Sequence, residues 1–246
     1  MEHIWSFFAF PLNIMLAVLW TAGLWWLWKN MRGSRVVRFL LSPAATISAL
    51  CLLILSCLWI GLSGIRDFVQ SVLFICILLY VQAVVLLITF RGWRRPDGVI
   101  RWRFMLIHAG LLLAVGAGFW GAPDVSELRV RMERGDVTET AYRMDGNVTG
   151  LGYSLRLDDY CTELSQDGKP SYYEVVVAVN GGEPVKITVN HPYSVKFGED
   201  IYLSSVSEDY CVLQIVREPW RYVTLIGIIM LLAGAFLLFI KGPRRC

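Results

Sequence analysis

The 246-residue sequence predicts an α-helical integral membrane protein of about five transmembrane helices, with an all-β extracytoplasmic domain, sandwich-like or barrel-like, inserted before the last helix. Hydrophobic residues make up 56% of the chain, and its mean hydropathy is +0.53. Apolar runs near the length of a membrane span recur along the sequence. A single stretch of 99 residues, 121–219, replaces this pattern with polar residues and turn signals.

Five apolar runs approach the roughly 20 residues that a helix needs to cross a bilayer. They are Ile4–Trp28, Pro43–Ser63, Phe68–Phe90, Phe104–Trp120 and Tyr222–Ile240. The first run lacks the basic flank and the small-residue cleavage site of a signal peptide, so we expect it to be a retained span. The predicted domains are therefore 1–120 with four helices, the β-domain 121–219, and 220–246 with the fifth helix and a short basic tail.

Basic residues predict the orientation of these spans. Twelve of the 23 lysines and arginines lie in three clusters, which follow the first run, separate the third from the fourth, and close the chain. The positive-inside rule places all three clusters in the cytoplasm. We therefore expect the N-terminus and residues 121–219 outside a bacterial inner membrane, and the C-terminus inside the cell.

Short β-like segments separated by turn signals fill the outer domain. The predicted strands are Leu128–Met132, Val137–Tyr142, Tyr153–Leu157, Tyr172–Val179, Val185–Val189, Ile201–Ser205 and Cys211–Val216. Seven strands at this spacing are typical of an antiparallel sandwich or barrel. The domain carries 17 acidic and 9 basic side chains, a net charge of about −8, which disfavours binding of nucleic acid.

His108 is an ionisable side chain inside a predicted span, which makes it a candidate functional residue. His3 and His191 lie outside the apolar runs, so a partner for His108 would be a metal cofactor, another subunit, or both. The alternative is an imidazole that hydrogen-bonds to a neighbouring helix. Gly110, Ala114 and Gly118 recur every four residues on another face of this helix, as in closely packed membrane helices.

Cys161 and Cys211 both lie in the outer domain, where the compartment is oxidising. Two thiols in one small domain of this kind most often form a structural disulfide, which we expect here. Thiol exchange is the alternative, although the 50-residue separation lacks the close spacing of a redox motif.

The ordered motifs of the outer domain resemble those of ResB-type (CcsB-type) cytochrome c biogenesis proteins. They are the segment 150–160, Asp167-Gly-Lys-Pro170, Val189-Asn-His-Pro-Tyr193, Asp200-Ile-Tyr202 and Arg217-Glu-Pro219, followed by a last span. The stretch Ile107-His-Ala-Gly110 is similar to the His-bearing span of that family. The resemblance covers roughly residues 101–240.

This resemblance implies a subunit of the System II cytochrome c synthase complex, which carries haem across the membrane and presents it for covalent attachment to apocytochrome c. It implies that His108 is an axial ligand of haem b, shared with a Trp-rich CcsA-type partner. The Trp-rich haem motif of CcsA proteins is not found in this sequence, so the chain is expected to be a haem-handling subunit rather than an enzyme alone. The alternative function is a non-haem membrane scaffold or sensor that displays an extracytoplasmic β-domain. Membrane lipids are expected partners of the chain.

Overall fold

The computed structural model describes residues 8–64, 68–69, 71–94, 96–164 and 170–241. It divides into two compact units, one with the helices up to Pro123 and from Trp220 onward, the other Asp124–Pro219. The predicted domain boundaries were Gly121 and Pro219. The start of the first predicted span, part of the Asp167-Gly-Lys-Pro170 motif and the basic tail lie outside the described residues.

The helical unit contains six α-helices within the described residues. They are α1 (Leu12–Asn30), α2 (Arg35–Leu40), α3 (Pro43–Ser63), α4 (Val72–Gly92), α5 (Trp102–Gly121) and α6 (Arg221–Lys241). Serine side chains at positions 34, 42 and 71 cap α2, α3 and α4 by accepting a hydrogen bond from the backbone three residues on. Gly64 ends α3 with φ +65°, a left-handed backbone that glycine adopts without strain.

Four of these helices, α3 to α6, are long and apolar enough to cross a membrane. The predicted count of five is therefore one too high by this measure. The difference is α1, which spans 19 residues but contains four tryptophans and ends in Lys29-Asn30. Indole rings are amphipathic and favour the membrane interface, so they extend an apparent apolar run without making it fully apolar.

Helices α5 and α6 pack closely at small residues. A Cβ on Gly110 would lie 2.7 Å from the Gly227 carbonyl oxygen, and a Cβ on Gly227 would lie equally close to the Gly110 oxygen. The predicted small-residue face is thus confirmed at Gly110 and at Ala114, whose backbone also meets Gly227. Gly118 has open space beside it and takes no part in this contact.

The second unit, called the β unit below, is one antiparallel sheet of eight strands. These are β1 (Ser126–Met132), β2 (Val137–Arg143), β3 (Val148–Leu164), β4 (Pro170–Val179), β5 (Val185–Thr188), β6 (Tyr193–Lys196), β7 (Glu199–Val206) and β8 (Cys211–Arg217). Their order across the sheet is β5-β4-β3-β2-β1-β8-β7-β6. Seven strands were predicted; the missed one, β6, is a four-residue strand next to Pro192.

The sheet rolls around a single apolar core. Alternate side chains point inward from most strands, and the buried members include Leu128, Leu155, Val177, Ile201 and Ile215. Strands β4 and β5 approach β7 across this core, and a bridge between Thr188 and His191 connects the region of β5 to that before β6. The rolled sheet agrees with the predicted all-β class.

The predicted disulfide between Cys161 and Cys211 is not formed in this structure. Both are free thiols; Cys161 is exposed on β3, whereas Cys211 is buried on β8, and two strands, β2 and β1, lie between them in the sheet. A β-bulge between Leu157 and Asp159 changes the alternation of β3. Because of this bulge Tyr160 points into the core, and Cys161 points out.

Candidate functional site

His108 lies on α5, and a backbone hydrogen bond orients its ring. Its Nδ1 is 2.9 Å from the carbonyl oxygen of Phe104, one helical turn earlier. A carbonyl oxygen can only accept, so this contact requires the proton on Nδ1. In the neutral imidazole the lone pair is then on Nε2, which is the arrangement of a histidine that binds a metal through Nε2.

Phe104 supports the His108 ring on one side. The two rings stack with centroids 3.9 Å apart and an angle of 24° between their planes. The far edge of Phe104 lies against Gly92 at the end of α4, where a Cβ would collide with the phenyl ring. The guanidinium of Arg101 lies 5.1 Å from the Phe104 centroid. Phe104 is thus held by its neighbours, and it limits the movement of the imidazole.

The next turn of α5 packs against α1 and α4. Leu112, four residues after His108, lies against an apolar cluster that includes Leu24 and Leu86, with Phe90 at its margin. The Phe90 ring makes an edge contact with Trp25 at 5.1 Å. Side chains at i and i+4 share a helix face, so His108 lies on the face of α5 that turns toward these aromatic helices. Gly110 and the α6 contact lie about 200° around the helix.

A second polar group of the helical unit joins α1, α4 and α5. The Asn13 side-chain amide donates to the Trp120 carbonyl at 2.9 Å, and the Trp120 indole donates to Gln82 Oε1 at 3.0 Å. Gln82 is only 4% exposed. Its Nε2 has no hydrogen-bond partner among the residues that the structure describes. These groups fix the three helices to one another.

An apolar groove of about 580 Å³ lies elsewhere in the helical unit, between α1, α2 and α4. Its lining includes Trp20, Trp26, Leu40 and Tyr80, and His108 is not among the lining residues. The Tyr80 hydroxyl is already bonded to Ser48, at 2.8 Å. The groove is largely apolar, and the buried Trp20 Nε1 has no hydrogen-bond partner among the described residues. It is separate from His108.

The β unit contains a buried ion cluster centred on Glu199, which is 2% exposed. Arg217 Nε donates to Oε2 at 2.8 Å, the Tyr153 hydroxyl donates to Oε1 at 2.8 Å, and Lys196 Nζ lies 3.1 Å from Oε2. Burial by itself would raise the pKa of Glu199, but hydrogen bonds from Arg217, Tyr153 and Lys196 outweigh it and lower the pKa. Burial and the Glu199 carboxylate together raise the pKa of Tyr153.

Residues 98–209 match the ResB-like family. The chain is thus similar to the ResB-like family over a little under half of its length. The matched region contains His108 and its stacking partner Phe104, the strands β1–β7, and Glu199 with Tyr153. It is narrower than the predicted range of 101–240 at its C-terminal end, so Cys211, Arg217 and α6 lie beyond it.

A comparison with solved structures finds a likeness to the Cytochrome c Heme Lyase CcmF. The two are 11% identical with a TM-score of 0.41, and the alignment covers 93% of this chain but 45% of the CcmF chain. The chain thus spans less than half the length of that structure. No curated protein matches the sequence.

The structure keeps the predicted site residues of the chain apart. His108 is in the helical unit, and Cys161 and Cys211 are in the β unit, on opposite faces of the sheet. Within the described residues no three His, Cys, Asp or Glu side chains group in a way that could hold a metal ion.

Two functional candidates escaped the sequence analysis. Gln82 was detectable, because a glutamine within a predicted span is as unusual as a histidine. The Glu199 cluster was not, since its members are spread over 65 residues and are brought together only by the register that pairs Glu199 with Arg217.

Proposed function

We propose that this ResB-like chain acts in cytochrome c biogenesis as the haem-handling subunit of a System II synthase complex. Haem b is the cargo, and His108 is one of its two axial ligands within the membrane. The family match supports the role in biogenesis, and the geometry of His108 supports the role of this residue.

The orientation of the His108 ring is the observation that carries the proposal. The alternative is a structural histidine that hydrogen-bonds to a neighbouring helix. Such a histidine would direct at least one ring nitrogen to a polar group on that helix. Here Nδ1 is satisfied within α5 itself, by Phe104, and the stacked phenyl ring leaves Nε2 as the group directed elsewhere. Axial ligation by a neutral imidazole needs that state of the ring.

The second axial ligand is proposed to come from a Trp-rich CcsA-type membrane subunit. His191 lies in the β unit, near β5, and so does not share the helical unit with His108. A shared haem would bind the two subunits together, because each supplies one ligand to the same iron. Loss of either ligand is then expected to weaken both haem retention and the complex.

The β unit is proposed to hold the apocytochrome on the outer side of a bacterial inner membrane. Its net charge of about −8 attracts basic segments and repels polyanions. This attraction is screened over about 8 Å at physiological salt, so it acts on the rate of encounter more than on final affinity. In this orientation the three basic clusters of the chain face the cytoplasm.

The test is to purify His108→Ala together with the CcsA-type partner and to measure haem per complex and the absorption spectrum. We expect loss of most bound haem, or a spectrum of an iron with one axial position open, that added imidazole restores. The matched control is His191→Ala, an exposed histidine of the β unit, which should leave haem content unchanged. Wild-type haem content and spectrum in His108→Ala would show that this residue is not a ligand.

A further inference from the structure

The two chain connections of the β unit leave it at one end, here called the tether end. Ser126 pairs with Arg217, so the first residue of β1 and the last of β8 are neighbours. Glu199 also pairs with Arg217, and Leu128 pairs with Arg143. The β2–β3 turn and the β6–β7 turn therefore lie at this same end of the sheet. The β6–β7 turn is also linked to the end of β8 by a hydrogen bond, which the Glu218 amide donates to the Gly198 carbonyl oxygen at 2.7 Å.

The exposed apolar side chains of the β unit concentrate at the tether end. Phe197 is 71% exposed in the β6–β7 turn, and Met144 is 56% exposed in the β2–β3 turn. Tyr142 and Val148 are exposed as well, and they are directly opposite each other across β2 and β3. Among the described residues of the β unit, exposed apolar side chains thus gather in two turns at one end, and such a surface indicates a contact with another apolar phase.

Chain length restricts what can cover this end. Four peptide steps join Arg217 to Arg221 at the start of α6, and five join Gly121 at the end of α5 to Ser126. Fully extended, these connections reach about 14 Å and about 18 Å. Both helices are long and apolar enough to cross a membrane. The tether end is therefore confined to the neighbourhood of the membrane surface by covalent connection alone.

The chemistry of the tether end fits a lipid headgroup region. Tyrosine is suited to that zone because one end of its ring is apolar and the other is polar, and the phenyl ring of Phe197 adds apolar surface. Arg129 pairs with Tyr142 in the sheet, and Arg143 follows it, so two guanidinium groups accompany the apolar side chains. The carboxylate in the turn, Asp145, accepts hydrogen bonds from the Asn147 amide and side chain at 2.9 Å, so it is engaged within the turn.

We propose that the tether end is a membrane-contact surface, in which Tyr142, Met144, Val148 and Phe197 enter the lipid headgroup region. Contact at two separate turns limits rotation of the β unit about its tethers. The opposite end of the sheet, with the β1–β2 and β7–β8 turns, is thereby presented to the aqueous compartment. This inference is independent of haem binding.

The test places an environment-sensitive fluorophore on single cysteines of the full chain in phosphatidylethanolamine and phosphatidylglycerol nanodiscs. The other cysteines are replaced, except the buried Cys211. Met144→Cys and Phe197→Cys are the test positions. Val137→Cys is the matched control, because Val137 is 63% exposed at the opposite end of β2.

We expect blue-shifted emission at both test positions, with loss of emission when spin-labelled lipid is included, and water-like, unquenched emission at Val137→Cys. Water-like emission at both test positions would overturn the proposal. So would a blue shift that spin-labelled lipid does not quench, because a second copy or another protein would then cover the surface. Having two test sites keeps the result decisive if one variant folds poorly.

Discussion

The two units of this protein bury polar groups in opposite ways. The helical unit buries two uncharged amides, Asn13 and Gln82, which bond to the Trp120 carbonyl and the Trp120 indole. The β unit buries a formal charge, Glu199, and surrounds it with Arg217, Lys196 and the Tyr153 hydroxyl. The difference follows from the solvent, because a charge in hydrocarbon costs far more than a charge beside water. Dependence on pH should therefore reside in the β unit and ligand binding in the helical unit.

The largest expected effect is on the buried charge. Arg217→Met leaves Glu199 without its closest cation and should destabilise the β unit by about 3 to 5 kcal/mol, the typical cost of removing one partner of a buried pair. The matched control is Lys186→Met, because its pair with Glu174 is largely exposed on the lysine side. That control should cost less than about 1 kcal/mol. Equal effects of the two substitutions in denaturant unfolding would show that Glu199 is not effectively buried.

In the helical unit, we expect the largest loss of stability from larger side chains where the backbones of α5 and α6 approach most closely. Gly110→Val places new atoms against the Gly227 carbonyl and the α6 backbone, and overpacking of this kind costs about 1 to 3 kcal/mol. Gly118→Val is the control on the same helix, because nothing lies within 4 Å of its Cβ position. Thermal unfolding in detergent should separate the two variants. A Gly118→Val protein as unstable as Gly110→Val would contradict the packing described.

We expect acid to destabilise the β unit through protonation of Glu199. Its pKa is lowered in the folded state, so its ionised form contributes stability that is present above the unfolded pKa and lost as pH falls through the folded pKa. We expect wild type to lose stability in this acidic range, and Glu199→Gln to be less stable at neutral pH but to show a smaller loss on acidification. Unfolding free energies of the two proteins across pH measure this difference. Parallel pH profiles would assign the acid sensitivity to other carboxylates.

The smallest effect concerns thiol reactivity rather than stability. Cys161 is exposed, whereas Cys211 is buried, and burial raises the pKa of the Cys211 thiol to about 11. Alkylation of the native protein followed by peptide mass spectrometry should modify Cys161 and spare Cys211 until denaturant is added. Recovery of a peptide pair linked through these two cysteines would instead restore the disulfide expected from the sequence.

Patterns with a strong local signal were predictable from the sequence. The apolar runs gave α3 to α6 within a few residues, because a membrane helix needs length and apolarity and little else. Most strands of the β unit followed from alternation and turn residues. His108 was detectable because an ionisable residue in a span is rare, whereas its hydrogen bond to Phe104 depends on a side-chain rotamer that the sequence does not specify.

Features that depend on register could not be predicted. The pairing of Glu199 with Arg217 needs the alignment of β7 on β8, which no short motif records. The disulfide was expected because two thiols share one small domain in an oxidising compartment, an argument that ignores the face of the sheet on which each side chain lies. Strict alternation from Leu155 and Leu157 would place Cys161 in the core. One bulge in β3 reversed the direction of the cysteine, and a bulge leaves almost no mark on composition.

The bond between the His108 ring and the Phe104 carbonyl makes the orientation of the imidazole a property of a single helical turn. In an α-helix that carbonyl also receives the amide of residue 108, so one oxygen serves both backbone and ring. This hydrogen bond needs no neighbouring helix. It forms in any chain in which residues 104–108 remain helical and the imidazole keeps this rotamer. The orientation of His108 therefore depends on the regularity of α5. A kink within this turn would break the hydrogen bond and change the direction in which Nε2 points.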